Sequence, residues 1–150
     1  MLDMKTIKNE EDFPKNISKD KFLDFLYEHL EKYGDKKEDI QKAIDYAFSD
    51  EKGKGGFLLA ALQDEELIGG VVINNTGMSG YIPEHILVYI ATHKDFRGQG
   101  IGTKVMEKII QECPGDIALH VEYDNPANFL YEKVGMNSKY KEMRYKQRDA

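Results

Sequence analysis

The chain has 150 residues, 41% of them apolar, which is enough for one domain with a real core. No apolar run approaches the ~20 residues of a membrane span. The opening Met-Leu-Asp-Met-Lys reads as having no apolar leader. The single cysteine, Cys113, excludes an internal disulfide framework and points to the cytoplasm, and a net charge of −6 argues against general nucleic-acid binding.

In chain order, residues 2–8 read as a short first strand. Ser18 is placed as an N-cap, followed by Phe22, Leu26, Leu30 and Tyr33 on one helical stripe that Gly34 stops. Ile40, Ala43, Ile44, Ala47 and Phe48 form the apolar face of a second helix. The run Lys52-Gly-Lys-Gly-Gly56 breaks it. Phe57 to Leu62 and Leu67 to Ile73 predict a hairpin across Gln63-Asp-Glu-Glu66, and 74–83 is turn-rich. Ile86 to Ala91 is a further strand. A helix runs from about Gly100 to Glu112 with Ile101, Val105 and Ile109 inward, and Pro114-Gly115 ends it. In the next strand Ile117, Leu119 and Val121 alternate with Ala118, His120 and Glu122. Pro126 opens a helix that stops at Gly135, and a last strand is expected over 138–146.

The segment Arg97-Gly98-Gln99-Gly100-Ile101-Gly102 joins a strand to a helix. A glycine-rich turn that opens a helix offers free backbone N–H groups and a partial positive charge to an anion. A Walker loop needs lysine then a hydroxyl after its last glycine, whereas Thr103 and Lys104 follow here in reverse order; a dinucleotide fingerprint begun at Gly98 would need glycine at 103. From Thr92 to Lys108 four cations (Lys94, Arg97, Lys104, Lys108) face two acids (Asp95, Glu107), a local +2 in an acidic chain. That patch suits one polyanionic ligand. For Lys104 and Lys108, a solvated helix face explains the charge equally well.

Arg97-x-x-Gly100-x-Gly102 resembles the acetyl-coenzyme A loop of the GNAT N-acetyltransferase family. A second block, Asn125-Pro-Ala-Asn-Phe-Leu-Tyr-Glu-Lys-Val-Gly-Met136, resembles the asparagine, Leu-Tyr-Glu-Lys helix and Gly-Phe/Met end of the same family. The likeness is close from Glu84 to Met136 and outlines the rest. It implies one acetyltransferase-like domain over residues 1–150 with a mixed α+β fold. The sheet would be mostly antiparallel, with about six to seven strands and about four flanking helices. The fourth and fifth strands, here Glu84–Thr92 and Ile117–Glu122, would splay to admit the pantetheine arm.

The resemblance also implies roles. Backbone groups of Ile90, Ala91 and Thr92 would pair with the pantetheine arm. Amides of Gly98, Gln99, Gly100, Ile101, Gly102 and Thr103 would hold the pyrophosphate, with Arg97 either structural or on phosphate through its fork. Tyr131 would touch the cofactor and act as general acid toward the thioester sulfur. The family commonly has asparagine seven residues before that tyrosine; here Asp124 holds that place and Asn125 stands six before, with Asn128 the fallback contact. Capping or turn chemistry is the competing role for both asparagines. The general base is open between His120, where some relatives carry glutamate, Glu84, and water. His29 and His93 lack spaced partners, so no metal is expected. Nothing implies an activating base for an acyl-cysteine route at Cys113.

The activity so implied is direct transfer of acetyl from acetyl-coenzyme A to a primary amine in a ternary complex. Residues 1–50 carry nine lysines and thirteen acids, which favours a cationic acceptor such as a polyamine, an aminoglycoside or a protein amine. The alternatives are a non-catalytic acyl-coenzyme A-binding module and an anion-binding interaction protein. No membrane partner is implied. Family members often dimerise through exposed strands and helices, so a homodimer stays open.

Overall fold

The computed structural model describes residues 2–147. Five strands form one sheet in the order β1-β2-β3-β4-β5: β1 Leu2–Ile7, β2 Gly56–Gln63, β3 Glu66–Asn75, β4 His85–Thr92 and β5 Ile117–Ala118. The first four pair antiparallel, and β4 and β5 pair parallel. The helices are α1 Lys19–Leu30, α2 Lys37–Ala47, α3 Ile101–Glu112 and α4 Ala127–Lys133.

The sheet carries a core on each face, so its central strands are nearly continuous apolar runs. On one side α1 and α2 bring Phe22, Leu26, Ile40 and Ile44 onto Leu58, Ala60, Val72 and Tyr89. On the other, α3 and α4 bring Ile101, Val105, Met106, Ile109 and Tyr131 onto Leu59, Val71, Ile73 and Leu87. The β2–β3 turn puts both Asp64 and Glu65 at positive φ (51° and 67°), which matches the right-handed twist of the strands it joins.

Several boundaries differ from the sequence reading. Ser18 caps α1 as expected, its hydroxyl accepting from the Lys21 N–H at 3.0 Å, but the helix stops at Leu30. Glu31 takes φ 55°, ψ −131°, and Glu31–Tyr33 forms a separate 3-10 turn. That backbone is sterically unfavourable for a residue with a Cβ and costs on the order of 1–3 kcal/mol. Only Ile117 and Ala118 of the expected fifth strand pair in the sheet, and Leu119 to Glu122 leave it. The strand expected over 138–146 is absent, so among the described residues five strands stand where six to seven were expected. Tyr140, Met143 and Tyr145 fall on both faces of a period-two pattern, and all three are largely exposed. The two-residue β5 also gives such a strand little edge to join.

Candidate active site

β4 positions the site. Its register with β3 jumps from Val72↔Tyr89 to Ile73↔Leu87, so Val88 is a bulged residue. Val88 and Tyr89 both join the α1/α2 core, while Leu87 and Ile90 join the other. Beyond Ile86↔Ala118, β4 has no strand partner on its β5 side among the described residues. Ile90, Ala91 and Thr92 therefore pair with β3 on one side and leave the other open. An edge of this kind presents unpaired main-chain N–H and C=O groups to an extended ligand.

After Thr92 the His93 N–H donates to the Ile68 carbonyl at 2.8 Å, and a 3-10 turn, Lys94–Phe96, leads to the glycine loop. Gly98 and Gly100 take φ 78° and 80°, and Gly100 caps α3. Among the described residues, no backbone N–H from Gly98 through Thr103 donates a hydrogen bond; the Lys104 N–H is the first to turn back, to the Gly100 carbonyl at 3.2 Å. The first turn of α3 holds no acid. Lys108 pairs with Glu112 at 3.1 Å and belongs to the helix face.

Tyr131 is buried on α4, within the core that α3 and β4 share. Its hydroxyl has no protein partner among the described residues, yet it is not sealed from solvent. Burial pushes the phenol up to about 12, so it holds its proton throughout the neutral range.

The other site residues divide. The Arg97 guanidinium turns back to α1: Nη2 donates to the His29 carbonyl at 2.7 Å, Nε to the Thr92 carbonyl at 3.3 Å, and Nη1 meets Glu31 Oε1 at 3.4 Å. Its fork is thus held by protein. Asn125 Oδ1 accepts from the Ala127 N–H at 2.9 Å. Asn128 Nδ2 donates to the carbonyls of Glu122, Tyr123 and Asn125. Both asparagines therefore do capping and turn chemistry at the start of α4.

Glu84 Oε1 accepts from the Asp116 N–H at 2.8 Å, and these backbone donors hold its carboxyl below the usual glutamate value. It braces the turn into β5. The eight residues of β4, at roughly 3.3 Å each, put about 25 Å between it and the glycine loop. His120 is exposed just past β5, in the stretch that has left the sheet. The hydroxyl of Tyr33 donates to the Asp124 carbonyl at 3.1 Å, tying the α1–α2 connection to this segment. The hydroxyl of Tyr89 donates to Asp35 Oδ2 at 2.6 Å. These last two contacts, like that of Arg97 with α1, span long stretches of chain and carry no local sequence signal.

The model of the acetyltransferase (GNAT) family matches residues 17–136. Cysteine-rich protein 2-binding protein from Mus musculus and from Homo sapiens are each 38% identical to this chain over 56 residues, 37% of this chain and 7% of theirs. The chain thus matches only a small part of the length of those relatives. The ribosomal-protein-alanine N-acetyltransferase from Brucella melitensis biovar Abortus 2308 superposes with a TM-score of 0.69 at 14% identity, over 98% of this chain and 99% of its own. A GNAT-family acetyltransferase from Streptococcus pneumoniae TIGR4 gives 0.67 at 15% identity, over 99% and 100%. An aminoglycoside acetyltransferase from an uncultured soil metagenomic sample, in complex with sisomicin, gives 0.61 at 15%, over 99% and 96%. At these identities the likeness to the solved structures is one of fold.

Proposed function

Because the chain belongs to the GNAT family of acetyltransferases, we propose that it moves an acetyl group from acetyl-coenzyme A to a primary amine by direct transfer in a ternary complex. The observation that carries this reading is the run of unpartnered amides from Gly98 through Thr103 beside the open edge of β4. A pyrophosphate fits the first, and an extended amide-bearing arm fits the second at Ile90, Ala91 and Thr92. The thioester supplies the activated acetyl group. The amine nitrogen attacks the carbonyl carbon, the carbon–sulfur bond breaks, the Tyr131 phenol gives its proton to the departing sulfur, and the proton shed by the acylated nitrogen returns through solvent to the phenolate. Tyr131 suits this role because its ring is buried while its hydroxyl is protonated, open to solvent and without a protein partner among the described residues. The amine must first be neutral. His120, directly or through water, is the base we favour, since Glu84 is engaged at the far end of β4.

The acceptor side is formed by the α1–α2 connection, where Asp35 and Glu31 lie close to β4 and to Arg97. With the net −4 of residues 1–50, this favours a cationic acceptor. The protein would work in the cytoplasm, without metal. Release of free thiol from acetyl-coenzyme A in the presence of polyamines, aminoglycosides and lysine peptides tests the proposal. Stimulation by one acceptor class supports it. Binding of the cofactor without turnover on any acceptor would instead favour a sensing module, a reading to which the exposed, unbraced His120 gives some support.

A further inference from the structure

His29, in the last turn of α1, is 6% exposed. Its ring stacks on His93 with centroids 4.2 Å apart. His29 Nδ1 accepts from the Lys94 N–H at 3.2 Å, so the ring proton sits on Nε2, which faces Glu28 Oε2 at 3.7 Å. His93 Nδ1 accepts from the Asp95 N–H at 3.1 Å. Two stacked imidazoles therefore receive two consecutive amides of the Lys94–Phe96 turn. The next residue, Arg97, is clasped by the His29 carbonyl and the Glu31 carboxylate. Residues 94 and 97 are thus tied to the end of α1, with the amides of 95 and 96 held by His93 between them, and Gly98 follows directly.

We infer that His29 is a positioning residue for the glycine loop: neutral, it latches residues 94–97 to α1 and holds the loop amides in register for a ligand; protonated, it releases them, so that acetyl-coenzyme A binding weakens in acid. The inference rests on the proposed reading of that loop as the cofactor site.

The chemistry runs one way. An imidazolium has no lone pair at Nδ1 and cannot accept from Lys94. Of the charged groups around the ring, Glu28 on α1 favours protonation, while His93, Lys94 and Arg97 on the segment after β4 oppose it. Asp95 lies 4.0 Å from His93 Nδ1, and Glu31 is paired with Arg97. Burial, the largest cause, acts together with His93, Arg97 and Lys94 and holds His29 below the ordinary histidine value of 6.5. A depressed value means that the latched state excludes the proton. Its stabilisation is complete above about pH 6.5 and is lost as pH falls from there toward the depressed value.

The test is calorimetric titration of the full chain with acetyl-coenzyme A at pH 7.5 and 5.5, on wild type, His29→Asn and His29→Leu. Nitrogen-15 NMR follows the Lys94 amide of the wild type over the same range. Asparagine offers Oδ1 where Nδ1 stood and does not titrate. Wild-type affinity should fall between the two pH values by at most on the order of tenfold, the limit set by the one unit from 6.5 down to pH 5.5. His29→Asn should keep the affinity of pH 7.5 and show only the dependence due to the cofactor's phosphates, and His29→Leu should bind weakly at both pH values. The Lys94 amide shift should follow the titration of His29. The same pH dependence in wild type and His29→Asn, or an Asn variant as weak as Leu at pH 7.5, or a Lys94 amide indifferent to His29, overturns the inference. Wild type that fails to bind at pH 7.5 refutes the cofactor reading instead, and the Lys94 amide still decides whether His29 is a latch.

Discussion

Gly102 lies directly against Leu130: a Cβ at Gly102 would stand 3.1 Å from Leu130 Cδ2. This closeness brings the first turn of α3, with its free amides, against the helix that carries Tyr131. A small residue here serves helix packing, whereas Gly98 and Gly100 serve backbone conformation at φ 78° and 80°. Gly102→Val should therefore push α4 outward. The expected loss of stability is about 1–3 kcal/mol by urea denaturation, with weaker acetyl-coenzyme A binding and a lower turnover. An unchanged turnover would mean that α4 placement does not matter to the chemistry.

Tyr131→Phe keeps the ring in the core and removes only the hydroxyl. Turnover should fall by about 10²-fold or more, the scale of general acid catalysis, while cofactor affinity changes little. The alkaline limb gives a second check. Burial raises the phenol from 10.0 to about 12. Its contribution to stability is thus fully present below about pH 10 and is lost as pH rises from there toward about 12. Urea midpoints measured across pH 9 to 11 should drop more steeply in wild type than in Tyr131→Phe.

Cys113 is 6% exposed, and burial pushes its thiol up to about 11. Thiolate is the reactive form. The native protein should react slowly with an aromatic disulfide reagent at pH 8, and at the rate of a free thiol once unfolded in guanidinium. Fast native labelling would require that the end of α3 opens readily.

Phe22 is fully buried against Gly70, where a Cβ would meet the aromatic ring at 3.2 Å. Phe22→Ala should cost about 3–5 kcal/mol, the range for emptying a packed aromatic site. Gly70→Val should also destabilise, by forcing that ring aside. A milder effect of both would show that α1 packs on β3 less tightly than these distances imply.

Much of this was legible in the chain, and for physical reasons. The 3.6-residue spacing of Ile40, Ala43, Ile44 and Ala47 could only be one face of a helix, and all four are buried. Gly100 marks the start of α3 because an αL residue opens that helix. What escaped was non-local. The contact of Arg97 with the His29 carbonyl links residues 68 positions apart, and no periodicity announces it. The expected strand at 138–146 failed because its three large apolar residues do not share a face. The hydrogen bonds of Asn125 Oδ1 and Asn128 Nδ2 to the backbone around α4 are the turn chemistry that asparagine at a helix start suggests.

Whether the glycine loop holds the cofactor is decided by calorimetric titration of acetyl-coenzyme A into the wild type and into Gly100→Glu. The substitution places a side chain and a negative charge at a φ of 80°, in open space beside the unpartnered amides. The wild type should bind with micromolar affinity and the variant not at all, with both chains folded by circular dichroism. Equal binding by the two would place the cofactor elsewhere, and no binding by the wild type would leave the glycine loop a structural turn.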